Sequence, residues 1–98
     1  MEYRPRPGVV STKISGMHVL IPSRKAYAHC RSIRRLPMLW ALTWELLERE
    51  NAEEKIMQLH RLLTKKSDGE IENNLRAFYA KMYEDGYLIR TDDEEVKA

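Results

Sequence analysis

The chain has 98 residues, of which 43% are hydrophobic and 33% are charged, as expected for one globular domain with a modest core. No apolar run approaches the ~20 residues of a membrane span, and the N-terminal residues lack the apolar segment that directs secretion. The single cysteine excludes an internal disulfide, and these features together predict a cytoplasmic protein.

The net charge of +2 conceals two halves of opposite sign. Residues 1–37 carry eight Lys and Arg side chains against one acid, whereas residues 38–98 carry nine against fourteen acids. The basic half suits an anionic partner, either nucleic acid or an acidic peptide. The alternative is that the two halves attract each other within the fold.

The first predicted element is a strand that follows a flexible arm. Residues 1–8 are rich in proline and end in glycine, which favours a loose arm. Residues 9–14 are rich in β-branched side chains and predict a strand, and Ser15-Gly16 after them is a turn signal.

Two further strands complete a predicted three-stranded meander. Residues 18–21 predict the second strand and residues 26–30 the third, with a short hairpin connection over residues 22–25. One face of this hairpin is expected to be buried, and its members are Val19, Ile21, Ala26, Ala28 and Cys30. A basic link over residues 31–35 then leads to the helices.

The core is predicted to be organised around a helix that holds both tryptophans. Residues 36–48, with Pro37 in the first turn, carry apolar side chains around most of the helix circumference. Such a helix must be packed against on two sides. The residues left for solvent are Ala41, Glu45, Glu48 and Arg49.

Two more helices are predicted from their capping residues. Asn51 with Glu54 resembles a capping box for the second helix, as does Ser67 with Glu70 for the third. The inward side of the second helix is predicted to hold Ile56, Leu59 and Leu63, with His60 and Leu62 alongside. The core stripe of the third helix is predicted to be Ile71, Leu75, Phe78 and Met82. Gly86 is expected to end this helix in the left-handed conformation, before an acidic, flexible tail over residues 91–98.

The order of these elements and several short patterns resemble the PqqD-like family of peptide-recognition domains. The family's Leu-Asn pair, followed after a gap by Ile-Trp-x-Leu-Leu, is similar to Leu36-Pro37 and Thr43-Trp44-Glu45-Leu46-Leu47. An acidic-acidic-x-Ile helix start is similar to Glu53-Glu54-Lys55-Ile56, and the family's closing pattern is similar to Gly86-Tyr87-Leu88-Ile89. The resemblance covers residues 9–90.

The resemblance implies a winged-helix-like α+β domain, with a three-stranded antiparallel sheet followed by a three-helix bundle (β-β-β-α-α-α). It implies no catalysis and no cofactor. In such domains the leader segment of a ribosomally synthesised precursor peptide adds as an extra strand, in the groove between the third strand and the third helix. The domain then presents the peptide to a modifying enzyme, such as a radical S-adenosylmethionine enzyme or a leader peptidase.

On this sequence the docking edge is predicted at the third strand, residues 26–30. An edge strand offers unpaired backbone groups, and the small Ala26 and Ala28 allow another backbone to approach closely. A basic rim would steer an acidic leader into the groove. Its members are Arg24, Lys25, Arg31, Arg34 and Arg35.

One flank of the third helix is expected to line the same groove. The flank with Arg76, Tyr79 and Tyr83 is favoured over the flank with Asn74, Ala77 and Lys81, because tyrosines are good peptide contacts. The full predicted peptide-binding set is Ala26, Tyr27, Ala28, His29, Cys30, Arg31, Arg34, Arg35, Leu75, Arg76, Phe78, Tyr79, Met82 and Tyr83.

Metal and catalytic sites are not predicted. His18 and His29 would supply two ligands at most, whereas structural zinc needs four, and Cys30 would point to the opposite face. Nothing near Cys30 supplies an oxyanion site, and no phosphate-binding glycine loop or Ser-His-Asp order occurs. The sequence therefore predicts a protein that is not an enzyme.

Two other functions remain as alternatives. The basic half is compatible with a small winged-helix DNA-binding protein, although the third helix carries only Arg76 and Lys81 against four acids. That composition disfavours nucleic acid as the partner. The other alternative is an accessory subunit that forms a homodimer through the same strand edge.

Overall fold

The computed structural model describes residues 3–23, 26–30, 33–49 and 53–90. Eight elements follow one another within these ranges: β1 (Tyr3–Pro5), β2 (Val9–Ile14), β3 (Met17–Pro22), β4 (Arg34–Leu36), α1 (Met38–Arg49), α2 (Glu53–Thr64), α3 (Asp68–Glu84) and β5 (Leu88–Arg90). The predicted α+β class, with a three-stranded antiparallel sheet and three helices, is confirmed. No helix in the described ranges is long and apolar enough to cross a membrane.

The sheet of β2, β3 and β4 begins with the predicted hairpin. Ser15 and Gly16 connect β2 to β3 with φ angles of 49° and 77°, and two left-handed residues give a turn whose twist matches the strands. Leu20 and Leu36 lie on the face that packs on the helices. The predicted buried face, with Val19 and Ile21, is the opposite one. Val19 is nevertheless buried there, because it lies on the central strand between its neighbours Thr12 and Arg35.

The third strand is not where the sequence predicts it. Residues 26–30 form a turn in which the N–H groups of Ala26 and Tyr27 donate to Ser23 O, at 2.9 and 2.8 Å. The N–H groups of His29 and Cys30 donate to Ala26 O. Alanine is a good helix former and a poor strand former, so the local preference of this segment favours the turn. The strand that completes the sheet is β4, which takes the last two residues of the predicted basic link and the first residue of the predicted central helix.

The turn over residues 26–30 closes over the end of α3. A Cβ atom on Gly86, whose φ is 92°, would lie 1.8 Å from His29 O, so only glycine fits there. The Cys30 thiol donates to Gly86 O at 3.4 Å, and Arg6 Nε donates to the same oxygen at 2.6 Å. Ala26 is fully buried. This segment therefore holds the end of α3 in place.

Part of the predicted N-terminal arm is a strand. Residues Tyr3–Pro5 form β1, which pairs antiparallel with β5 in a separate two-stranded sheet. The Tyr3 ring lies 5.7 Å from the rings of both Tyr79 and Tyr83 on α3. The aromatic contacts fix the arm on the helix, so residues 3–5 are not a loose arm. The predicted tail over residues 91–98 lies outside the described residues.

Helix α1 is the centre of the core, as predicted. Trp44 is fully buried, and its indole N–H donates to the Glu48 carboxylate one turn later. The prediction for Ala41 is wrong, because this residue is 3% exposed. Helix α1 contacts β1, β3, β4 and α2, so its covered face is wider than the apolar pattern indicates.

Helix α2 buries only its first two turns. Ile56, Met57 and His60 are buried, whereas Leu62 is 77% and Leu63 55% exposed. Leu63 lies seven residues after Ile56 and therefore on the same face, so the covering elements end before the last turn. The predicted inward position of Leu63 is wrong. The predicted Asn51 cap lies outside the described residues.

Helix α3 begins and ends at the predicted capping residues. Ser67 Oγ accepts from the N–H of Glu70 at 3.3 Å. At the other end the N–H of Gly86 donates to Tyr83 O and that of Tyr87 to Met82 O, the pair of bonds that defines a Schellman motif. The chain then folds back, which buries Tyr87 and Leu88 in the core.

Candidate functional site

Two concave surfaces lie on opposite flanks of α3. The first, the basic groove, runs between β4 and α3 and has a volume of about 370 Å³; its lining is Arg34, Arg35, Leu36, Pro37, Trp40, Asn74, Ala77, Phe78 and Lys81. The second, the acidic cleft, lies between α2 and α3 and has a volume of about 560 Å³; its lining is Glu53, Glu54, Met57, Arg61, Asp68, Glu72, Leu75, Arg76 and Tyr79.

The floor of the basic groove is aromatic. Trp40 and Phe78 stack with ring centroids 4.5 Å apart and planes 14° from parallel. Both rings are half-buried and pack against the core, so each leaves apolar surface for a ligand. The His60 ring lies 5.1 Å from that of Trp40, which fixes the indole from the α2 side. The stacked rings of Trp40 and Phe78 are therefore held in place by the core behind them.

One wall of the basic groove is an unpaired strand edge. Strand β4 pairs with β3, and in the part of the chain that the structure describes no strand pairs with its outer edge. Successive residues of an antiparallel strand direct their N–H and C=O groups alternately to one side and the other. The outer edge therefore offers the backbone groups either of Arg35 or of Arg34 and Leu36.

The rim of the basic groove carries three basic side chains and no acid. Arg34 donates to the Asp85 carboxylate at 2.7 Å, and Lys81 Nζ lies 3.6 Å from the other oxygen of the same carboxylate. Asp85 is buried at the end of α3, so it fixes Arg34 against the helix. Arg35 is exposed. Asp85, which lies outside the lining, offsets one of the three positive charges, so the rim remains positive.

The acidic cleft has four acids and two bases, and one base is already engaged. Arg61 donates to Asp68 at 2.8 and 2.9 Å and to Glu54 at 3.4 Å. These bonds lower the pKa of Asp68 and raise that of Arg61. Two acids, Glu53 and Glu72, have no partner within the cleft's own lining. The remaining base is Arg76, so these three residues carry a net charge of −1.

Tyr79 lies in this cleft with its hydroxyl buried. The residue is 8% exposed, and its hydroxyl has no hydrogen-bond partner among the described residues. Burial raises the pKa of the phenol strongly, and the nearby negative charge of Glu53 raises it further. The phenol is therefore neutral at physiological pH, with both a donor and an acceptor available.

The predicted site residues within the described ranges are divided among five places. Arg34, Arg35 and Phe78 line the basic groove, while Leu75, Arg76 and Tyr79 line the acidic cleft. Met82 is fully buried in the core, and Tyr83 packs on Tyr3. The segment at the end of α3 holds Ala26, Tyr27, Ala28, His29 and Cys30. The predicted rim residues Arg24, Lys25 and Arg31 lie outside the described residues.

The groove uses the flank of α3 that the prediction disfavours. Asn74, Ala77 and Lys81 face β4, because the opposite flank is occupied by β1 and α2. Trp40 and Leu36 are further lining residues that sequence reasoning placed only in the core. The sequence carried no signal for Trp40, because this residue shares its stripe on α1 with Trp44 and Leu47, which are buried in the core.

The other reactive groups among the described residues are dispersed His, Asp and Glu side chains and one free cysteine. No group of three His, Cys, Asp or Glu side chains in the described ranges could hold a metal ion. Burial raises the pKa of the Cys30 thiol, an effect that the charge of Arg6 only partly opposes. A thiol with a raised pKa is a poor nucleophile at neutral pH.

Comparisons with protein-family models, with curated proteins and with solved structures find no match to this chain.

Proposed function

We propose that this protein binds the leader segment of a ribosomally synthesised precursor peptide in the basic groove and presents it to a modifying enzyme. The fold would be winged-helix-like, with the hairpin of β2 and β3 as the wing, as the resemblance to PqqD-like domains implies. The observation that carries the proposal is the groove itself, in which an unpaired strand edge faces an aromatic floor beneath a basic rim.

The backbone of the peptide would pair with the outer edge of β4. Strand addition gives affinity through main-chain hydrogen bonds and specificity through pockets for alternate side chains. Strand β4 has only three residues, so few such bonds can form and the side chains must supply much of the affinity. The docking edge is thus β4, in place of residues 26–30, which form a turn.

The lining of the groove indicates which side chains such a peptide carries. Alternate residues of an added strand point towards the floor and towards solvent. An aromatic or large aliphatic residue would rest on Trp40 and Phe78, and acidic residues beside it would meet Arg35 and Lys81. Surface bases of this kind mainly accelerate association and select the partner's charge.

In this proposal the protein would carry out no catalysis itself and would present the bound peptide to an enzyme. The partner enzyme would be of the class that modifies or cleaves precursor peptides, such as a radical S-adenosylmethionine enzyme or a leader peptidase. No cofactor is needed for strand addition, because the interactions are main-chain hydrogen bonds, apolar contacts and ion pairs.

The experiment is a binding titration followed by fluorescence anisotropy. The labelled probes are the leader of a precursor peptide encoded beside this protein and a duplex DNA, each measured at low and moderate salt. Micromolar or tighter peptide binding, with DNA binding that disappears at moderate salt, is the expected result. Tight, sequence-dependent DNA binding without peptide affinity would overturn the proposal.

Two alanines of α3 offer a matched pair of variants for this titration. Ala77 lines the groove and Ala80 does not, and both are exposed. Ala77→Trp would fill the groove and lower peptide affinity at least tenfold, whereas Ala80→Trp would leave it unchanged. Equal affinities of the two folded variants would place the peptide elsewhere.

A further inference from the structure

We propose that the acidic cleft between α2 and α3 binds a primary alkylammonium group, the chemistry of a lysine side chain. This site is separate from the basic groove, and the proposal stands whether or not the groove binds a leader peptide. It is argued from the charges of the cleft, its buried phenol and its apolar surface.

The charges of the cleft favour a cation. Arg61 forms hydrogen bonds to Glu54 and Asp68, so these three side chains largely satisfy one another. Glu53 and Glu72 remain against Arg76, which leaves the rest of the lining negative by one charge. A bound cation would balance that charge and would be attracted by the carboxylates, whereas an anion would be repelled by them.

The hydroxyl of Tyr79 supplies an independent indication of a ligand. Buried polar groups are nearly always hydrogen-bonded, and this one has no partner among the described residues. The hydroxyl belongs to a residue that lines the cleft and senses the charge of Glu53. An ammonium group could donate to the phenol oxygen and to a carboxylate at once, since it has three donors.

The remaining surface of the cleft suits an alkyl chain. Met57 and Leu75 line it and are 8% and 6% exposed, so they offer an apolar base beneath the charged rim. The volume of about 560 Å³ is within the range of small-ligand sites. A compact ammonium matches one buried acceptor oxygen better than a guanidinium, whose planar fork is suited to two parallel acceptors.

The test is a nuclear magnetic resonance titration of the full chain. The probes are 1,5-diaminopentane, Nα-acetyl-lysine methylamide and, as the uncharged control, the same lysine derivative acetylated on Nζ. Saturable shifts at the amides of Met57, Glu72 and Tyr79 are expected with the two amines and not with the acetylated control. Shifts that fail to saturate, or that occur equally with the acetylated probe, would overturn the proposal.

Two variants with a matched control make the assignment specific. Tyr79→Phe and Glu72→Gln should each weaken amine binding at least threefold, whereas Glu84→Gln, which removes an exposed acid of α3 outside the cleft, should not. Tyr79→Phe should also raise the melting temperature of the free protein, because it removes a buried hydroxyl without a partner. Unchanged amine affinity in Tyr79→Phe would contradict the role of the phenol.

The two amine probes also distinguish the source of the ligand. A lysine derivative that binds more tightly than the free diamine would indicate a lysine side chain of a partner polypeptide. The reverse order would indicate a free polyamine. A failure of leader-peptide binding in the anisotropy titration would leave this result unaffected, because the two sites share no lining residue.

Discussion

The two flanks of α3 differ in charge although they belong to one helix. Phe78 and Tyr79 are adjacent in sequence, yet Phe78 lies in the basic groove and Tyr79 in the acidic cleft. The groove obtains two of its three bases from β4, and the cleft obtains two of its four acids from α2. The comparison shows that the chemistry of a helix flank is set jointly by the helix and by the element packed beside it.

The flanks also differ in how their ion pairs are held. On the groove side two bases share the buried Asp85, whereas on the cleft side Arg61 is shared by exposed acids. Exposed pairs contribute little to stability and are screened by salt. The arrangement of Arg34 is therefore expected to persist at moderate salt, while that of Arg61 weakens.

The largest expected effect is on stability and comes from a substitution in the core that supports both flanks of α3. Trp44→Ala should lower the free energy of unfolding by about 3–5 kcal/mol, because it empties a fully buried site under the sheet and helices. Urea denaturation measures this change. Leu62→Ala, at a position 77% exposed, is the control and should change stability by less than about 0.5 kcal/mol. A small effect at Trp44 would mean that α1 is not the centre of the core.

The next largest effect is expected at Gly86, where α3 and both of its flanks end. Gly86→Ala should cost about 2–4 kcal/mol, because the new Cβ meets His29 O and the residue keeps a left-handed backbone. Gly16→Ala is the matched control, since its φ is also positive but nothing lies within 4 Å of its Cβ. Equal costs for the two variants would rule out the contact with His29.

A smaller effect is expected from reversing one charge on either flank of α3, which tests the two flanks separately. Arg35→Glu should weaken binding of an acidic leader by about three- to tenfold and reduce its salt dependence, because it reverses a rim charge of the groove. Arg76→Glu reverses a charge of the cleft and should leave leader binding unchanged. The anisotropy titration compares them at two salt concentrations. Equal losses would show that only net charge matters.

The smallest effect concerns the histidine behind the groove floor. Burial lowers the pKa of His60, so its neutral form is the one that the fold stabilises. The contribution is complete above the unfolded pKa of about 6.5 and is lost as the pH falls, with a slope of at most about 1.4 kcal/mol per pH unit. Urea denaturation between about pH 7 and 5 should show this loss. His60→Gln should flatten the profile, and an unchanged slope would assign the loss to other groups.

The tautomer of His60 follows from its hydrogen bond with Thr43. The Thr43 hydroxyl donates to Leu39 O at 2.8 Å and therefore accepts from His60 Nε2, also at 2.8 Å. Neutral His60 then carries its proton on Nε2. Acid would add a second proton, at Nδ1, in the interior beneath Trp40. Lowering the pH should therefore perturb the floor of the groove before it perturbs the cleft.

The parts of the fold that sequence could predict are those with local signals. The turn at Ser15-Gly16 and the Ser67 cap each depend on residues within four positions of one another. Strands β1 and β5 have three residues each and pair across almost the whole chain, so no local pattern marks them. Residues 26–30 alternate like a strand, but their partner is the end of α3, which lies more than fifty residues away.

The sequence predicted a groove of this kind, but on the other flank of α3 and with a different strand as its edge. A groove between the third strand and α3 with basic residues was expected, and Arg34, Arg35 and Phe78 lie in such a groove. The favoured flank does not face this groove, because Tyr79 lines the acidic cleft and Tyr83 packs on Tyr3, from the other end of the chain. Covering of this kind depends on tertiary packing, which periodicity cannot show.

The pairing of β1 with β5 brings two distant parts of the polypeptide side by side. Tyr3 lies opposite Arg90 in the register of this pair, so their backbones are separated by about the 5 Å spacing of neighbouring strands. A linker of a few residues could join these positions, and the chain could be opened at the exposed turn between β2 and β3. Circular permutation at Ser15-Gly16 should therefore preserve both flanks of α3.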